Sequence, residues 1–344
     1  MSTSMIESIR YHQLGCAVNG SPFYAGLLGE IAADWESGGI TSELLPASWE
    51  RPLQDAAALR LLGAVHRIVL EGRAPELARF YPSAGGDDDG DPWPAFQRVL
   101  EAFRPEIEQG LREQVQTNEI GRAAVLAGGF TEIARRTGLP LALFEVGCSA
   151  GLNLRWDRYA FDTGLTVAGD PASALRFAGV WEGAPPDLSL PVRVVERRGC
   201  DISPIDPSSP DGARRLESFI WPDQDERLAR LRAAMKIARE TPVTIERADA
   251  GAWVTDQLAR PRPAVATVVY HSIVLQYVPR SSRHQMRDAL VSAGENATPD
   301  APIAWLRMEP AGEMADLRLH LWPGGNEEVL AECGYHGRPI RWSA

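Results

Sequence analysis

The chain has 344 residues, of which 44% are hydrophobic and 24% charged, and its formal net charge is −11. These are globular proportions, so whole-chain disorder and fibrous structure are excluded, and length alone suggests about two domains. The acidic balance argues against a protein built to grip nucleic acid, which needs a basic face. No apolar stretch approaches the roughly 18 residues of a membrane span, so no membrane is expected as a partner. The start of the chain lacks the pattern of a signal peptide. The cysteines Cys16, Cys148, Cys200 and Cys333 form no CxxC pair; neither a zinc cage nor a disulfide framework is indicated, and a reducing cytoplasm is the expected location.

The first third reads helical. Pro22–Glu36 carries Phe23, Leu27, Leu28 and Ile31 at helical spacing and is stopped by Gly38-Gly39. Asp55–Glu71 repeats the pattern with Leu59, Leu62, Val65, Ile68 and Val69, and Phe96–Gln116 is a third amphipathic helix. Pro82–Pro94 is a loop by composition; its run Asp87-Asp88-Asp89 lacks calcium-loop spacing.

From about Thr117 helices alternate with short apolar runs. Glu119–Thr137 reads as a helix, Leu141–Val146 as a strand stopped by Gly147, and a further helix is expected from about Ala150. Val192–Glu196, Val243–Glu246, Val265–Tyr270 and Ile303–Met308 read as strands, with helices at Glu226–Arg239 and Ser282–Ala293. Strands separated by helices imply a parallel sheet covered on both faces.

The most informative stretch is Leu141–Leu154, LALFEVGCSAGLNL. It reads as strand, tight glycine turn, then helix. Glycines let a backbone approach a ligand, and a helix start offers free N–H groups. The spacing Glu145-x-Gly147-x-x-x-Gly151 resembles the first motif of class I S-adenosylmethionine-dependent methyltransferases and is not the dinucleotide pattern GxGxxG. The same residues spell GxSxG around Ser149, the serine-hydrolase elbow. Against a hydrolase stand the helices that precede the turn, the lack of an HGGG-like segment, and Glu145, which a hydrolase does not need. A third reading makes Ser149 a helix cap.

Later strands extend the first reading. His271-Ser272 closes the apolar run from Val265 and resembles the fourth-strand region of those methyltransferases, where substrate and methyl group meet. Ligands of open α/β sheets bind beyond the carboxyl ends of strands, so His271 is the candidate general base. Thr244–Asp249 (TIERAD) resembles the third strand followed by an acid, which makes Asp249 a candidate acceptor for an adenine amino group or else a helix cap. An acid for the ribose is expected at the end of the second strand, usually about 20 residues past the loop, a spacing that Asp170 has; because Val192–Asp201 reads more like that strand, Asp201 is favoured over Asp170 and Asp206, with a solvated turn as the alternative for each. His12, His66 and His284 stand alone, and no histidine pair has ligand spacing, so no metal is expected.

The segments Gln116–Arg122, Glu145–Tyr159, Arg197–Asp206, Trp221–Leu231, Val268–Val278 and His336–Trp342 together resemble a bacterial family of uncharacterised proteins, domain of unknown function 2332, over nearly the whole chain. Cys148 stands where a small residue such as alanine is expected. The resemblance implies a core similar to class I methyltransferases. It also implies that Thr117-Asn118-Glu119 belongs to the site, with Asn118 and Glu119 toward the methionine end of the cofactor.

The expectation is an α/β protein: an N-terminal helical cap over residues 1–116 and a Rossmann-like, methyltransferase-type parallel-sheet domain over residues 117–344. Its cofactor would be S-adenosylmethionine, held by Asn118, Glu119, Glu145, Gly147, Ser149, Gly151, Asn153, Asp201 and Asp249. Its substrate would be a small molecule or a protein side chain. The rival readings are a serine hydrolase using Ser149 and a non-catalytic interaction protein on the same scaffold.

Overall fold

Helix formation in the first third follows its caps and apolar faces. In this computed structural model, which describes residues 3–343, α1 (Met5–Val18) starts on a capping box in which Ser4 and Glu7 satisfy each other's backbone N–H groups. α2 (Pro22–Glu36) has Ser21 as its cap and Pro22 in its first turn. There follow α3 (Ile40–Leu44), α4 (Ala57–Leu70), α5 (Pro75–Ala78), α6 (Trp93–Ala102) and α7 (Arg104–Leu111). The last two replace the single helix expected over Phe96–Gln116. Pro105 lacks an N–H and fits only in a first turn, so the helix breaks at Phe103 and restarts. These helices bury Leu27, Leu28, Leu61, Leu62, Phe96 and Ile107 in one core.

The chain divides into two units: Met1–Thr117 with Ser209–Ala229, and Asn118–Ser208 with Arg230–Ala344. The return of Ser209–Ala229 to the helical unit has local causes. Arg67 pairs with Asp211, the Asp223 carboxylate accepts from Ser21 Oγ at 2.5 Å and Phe23 N at 3.0 Å, and His66 Nδ1 lies 3.0 Å from the Ser218 carbonyl.

The second unit contains α8 (Ala123–Thr137), β1 (Leu141–Val146), β2 (Ala160–Asp162), β3 (Val167–Gly169), β4 (Arg176–Ala178) and β5 (Val194–Asp201). After α9 (Pro210–Ser218) in the helical unit comes α10 (Asp225–Glu240), whose residues up to Ala229 count with that unit, and then β6 (Thr244–Arg247), α11 (Ala250–Leu258), β7 (Ala266–Ser272) and α12 (Arg280–Glu295). The chain ends with β8 (Ile303–Ala311), β9 (Met314–Trp322), β10 (Glu328–Cys333) and β11 (Ile340–Trp342).

Eight strands form one mostly parallel sheet in the order β11-β10-β9-β8-β7-β1-β5-β6, and β3-β2-β4 form a small second sheet. β6, β5, β1, β7 and β8 are mutually parallel, whereas β9, β10 and β11 are added as an antiparallel meander. Burial explains the difference. Every residue of β1 is buried, as a central strand covered on both faces requires. β8 and β9 alternate between buried and partly exposed residues, the mark of a hairpin with one wet face. On one face of the sheet Phe144, Val146 and Val269 pack with Trp253 of α11 and Met286 and Leu290 of α12. Phe130 of α8 meets the Tyr270 ring edge-on at 4.9 Å.

Two expectations need correction here. No α-helix begins near Ala150. Ser149 and Gly151 have φ of 52° and 64°, left-handed values that a helix cannot contain, and only the short 3₁₀ segment Asn153–Arg158 follows. The strand read from Val192 starts instead at Val194 and runs past Glu196 to Asp201, which stands at its carboxyl end.

Candidate functional site

β1 lies between β5 and β7, so the chain leaves it toward one side and later returns to the other. Such a reversal opens a crevice at the carboxyl ends of the two strands. The turn Gly147–Gly151 occupies that position. Gly147 N and Cys148 N both donate to the Cys200 carbonyl, at 2.9 and 3.1 Å, which ties the turn to the end of β5. Gly147 has φ of 69°, and a Cβ there would run into Val274 Cγ2. The glycine is therefore required both by its backbone and by the close approach of the segment after β7.

Most of the expected residues converge on this turn. Asp201 Oδ2 accepts from Ser149 N at 2.9 Å, and its Oδ1 accepts from Ser203 N at 2.8 Å. Asn118 Oδ1 accepts from Leu152 N at 3.0 Å, and Asn153 Nδ2 donates to the Glu119 carbonyl at 3.3 Å. The Glu119 carboxylate caps its own 3₁₀ turn through Gly121 N at 3.0 Å. Two polar atoms at the turn, Ser149 Oγ and Asn153 Oδ1, are buried with no hydrogen-bond partner among the described residues. Buried polar atoms are normally paired, so these two mark where a ligand or water would bind.

Glu145 closes β1 with 2% of its surface exposed and accepts from Tyr270 Oη at 3.1 Å. Burial pushes its carboxyl up to about 8, with the Tyr270 bond and the Arg122 and Arg155 charges opposing and Asp201 adding to the rise. At neutral pH it is therefore largely protonated. Arg155 is a buried strut whose guanidinium donates to the carbonyls of Gly151 at 2.7 Å and Thr241 at 2.7 Å. Arg122 donates to the carbonyls of Ser272 at 2.9 Å and Tyr335 at 3.0 Å. Neither arginine presents a free charge to the turn.

Asp249, and the two less favoured ribose candidates Asp170 and Asp206, are engaged in caps and turns. Asp249 caps α11, accepting from Gly251 N at 2.9 Å and Ala252 N at 3.2 Å, and it also accepts from Ser282 Oγ. The Ser282 bond first, then those backbone bonds, hold its carboxyl below the usual range. Asp170 Oδ1 accepts from Ala172 N at 2.9 Å in an exposed turn, and Asp206 Oδ1 accepts from Ser208 N at 2.9 Å in another.

His271 does not fit the general-base role. It is fully buried, its Nδ1 lies 2.6 Å from Glu309 Oε1, and Trp305 Nε1 donates to its Nε2 at 3.0 Å. An indole N–H can only donate. The proton therefore sits on Nδ1, Nε2 is the acceptor, and no ring nitrogen is left for a substrate. A hydrolase would need a base downstream of Ser149, where His271, His320 and His336 lie, and the same geometry removes His271 from that role.

Sequence reasoning did not single out Tyr270, Val274 or Trp305 as site residues. The signal for Tyr270 was the register: it lies beside Glu145 across the β1–β7 pair. Among the described residues no group of three or more His, Cys, Asp or Glu side chains has metal-site geometry. The four cysteines are free and buried. Among the described residues no helix is long and apolar enough to cross a membrane.

Fold and site thus define an α/β protein with a mostly parallel sheet and a glycine turn at the sheet's reversal point. The chain belongs to the bacterial family described as "uncharacterized protein conserved in bacteria", domain of unknown function 2332, whose model matches residues 9–342. No curated protein and no solved structure matches the chain.

Proposed function

We propose that this protein binds S-adenosylmethionine at the Gly147–Gly151 turn and is methyltransferase-like, acting on a small molecule or a protein side chain. The observation that carries this reading is the pairing of that turn with an acid on the neighbouring strand: Asp201, at the carboxyl end of β5, grips Ser149 N beside the sheet's reversal point. Parallel strands in the order β6-β5-β1-β7-β8 support it, as do the unpartnered Ser149 Oγ and Asn153 Oδ1. Asn118, Glu119 and Asn153 would hold the amino-acid end, and Asp201 the ribose. When bound, the cofactor would supply an electrophilic methyl group. Val274 presently packs against Gly147, so the segment after β7 must yield for a ligand to reach that glycine. Without a free histidine nitrogen, His271 contributes as a positioning residue.

The hydrolase reading has no comparable support, because Ser149 Oγ lacks a partner and His271 is committed on both sides. Isothermal titration with S-adenosylmethionine and with its demethylated product tests the proposal. Saturable heat and mutual competition are expected; the absence of both at millimolar ligand overturns it.

A further inference from the structure

A cavity of about 260 Å³ lies on the second unit between the segment after β7, the first turns of α12 and β8. Leu275, Met286 and Trp305 line it, and Arg280, Arg283 and Arg287 stand around it with His284. Among the described residues no carboxylate lines it. Among the described residues, none of these three guanidiniums makes a side-chain hydrogen bond or ion pair.

That arrangement is unusual in two physical respects. The chain carries 46 acidic residues against 35 basic ones, and many of its arginines elsewhere are paired with carboxylates. Three unpaired arginines around one apolar cleft are a local surplus that the sequence could easily have neutralised. The helix itself makes the surplus costly. A helix N-terminus carries a partial positive charge and favours acids in its first turn. α12 has no acidic residue there, its N-cap Pro279 offers no side-chain bond, and Arg280 is its first residue. Cations at that end are unfavourable until an anion joins them. The floor is of the opposite character: Met286 is 1% exposed, and the Trp305 ring is fixed by its bond to His271 and by the Arg307 guanidinium 4.4 Å from its centroid.

We propose that this cavity binds a small organic anion, an apolar body carrying one carboxylate or phosphate. The body lies against Leu275, Met286 and Trp305, and the anionic group is held by Arg283 and Arg287 with Arg280 and the α12 N-terminus adding to the field. Guanidinium forks suit both oxyanions. The volume is below that of a drug-sized pocket, which fits a single-ring or short-chain molecule. This inference does not depend on the cofactor reading.

The test uses the full chain and three probes of one shape: benzoate, phenyl phosphate and the uncharged benzyl alcohol. Binding is followed by calorimetry at concentrations up to about 10 mM. At least one of the two anions is expected to bind saturably, more weakly as salt is raised, with benzyl alcohol silent; whichever anion is tighter identifies the headgroup. The exposed pair Arg283→Gln/Arg287→Gln, checked for folding by circular dichroism, is expected to weaken that binding at least about tenfold, as for lost charge-assisted bonds. Arg280→Gln, a single change on the rim, serves if the pair fails to fold and is expected to weaken binding in the same direction. The proposal is overturned if neither anion binds, if benzyl alcohol binds as well as the anions, or if the folded variants bind unchanged. Titration with S-adenosylmethionine in the same samples reports on the other site separately.

Discussion

Glu309 Oε1 joins the His271 ring to the backbone of the segment that covers Gly147: it lies 2.6 Å from His271 Nδ1 and accepts from Val274 N at 3.1 Å. One carboxylate oxygen on β8 thus fixes a buried histidine on β7 and the residue packed against the glycine turn. The segment needs such an anchor. Ile273 has φ of 50°, a left-handed value that a β-branched side chain rarely adopts.

The first prediction concerns that anchor. Glu309→Ala leaves the His271 Nδ1–H and the Val274 N–H without an acceptor, and an unsatisfied buried donor costs roughly 1–3 kcal/mol. A loss of about 2–4 kcal/mol in urea unfolding is expected, with a clearly smaller loss for Glu309→Gln, whose amide oxygen can still accept. Equal stability of Glu309→Ala and the parent would mean that the segment is held by other contacts.

Glu145 gives a pH signature. Its carboxyl is raised by burial from 4.5 to about 8, so folding favours the protonated form. The stability this contributes is complete below about 4.5, declines as pH rises toward about 8, and is gone above that. Between those limits the slope approaches about 1.4 kcal/mol per pH unit. Glu145→Gln keeps an acceptor for Tyr270 and removes the titration. Relative to the parent it is expected to gain stability steadily from pH 5 to 8; a parent–variant difference that stays flat with pH would refute the protonated carboxyl.

Several features of this site were readable in advance because they follow from local chemistry. The apolar run Leu141–Val146 is the central strand, with the same bounds in sequence and structure. Asp201 was legible as the acid at a second strand's end. What escaped depended on distant partners. The commitment of His271 required knowing that Trp305 and Glu309, 34 and 38 residues away, sit on the next strand. Pro105 could have signalled the break between α6 and α7, and the Ser4–Glu7 box the start of α1. That helix was obscured because its apolar positions are sparse and leave Tyr11 and Leu14 largely exposed. The meander β9 to β11 alternates and carries charges on its wet face, so it does not read as buried strand.

Val274 makes the third prediction. If the cofactor approaches Gly147, the valine side chain stands in the way. Val274→Ala is expected to bind S-adenosylmethionine about fivefold or more tightly than the parent, roughly the gain from removing a cost of about 1 kcal/mol. Gly147→Val, if circular dichroism shows it folded, is expected not to bind. Equal affinity of parent and Val274→Ala in calorimetry would show that the segment after β7 does not cover the cofactor's place.

The last prediction tests how the turn is seated on the sheet. Gly199 in β5 lies in register with Glu145 of β1, and a Cβ added to it would meet Cys148 Sγ at 2.6 Å and Cys148 Cβ at 2.9 Å. Both distances are too short for contact, and the fully buried Cys148 has no open space to retreat into. Overpacking of this kind typically costs about 1–3 kcal/mol, so Gly199→Ala is expected to lower the urea midpoint accordingly. Cys148→Ala alone deletes one buried sulfur and should cost about 1 kcal/mol. Combined, the two changes remove the sulfur that Gly199→Ala strikes and leave only the 2.9 Å approach of the two Cβ atoms. The losses are therefore expected to be less than additive, with a coupling of about 0.5–1 kcal/mol in the cycle. Strictly additive losses would mean that β5 moves away from the turn instead of pressing on it, and that the tight seating of Cys148 against Gly199 does not hold the turn in place.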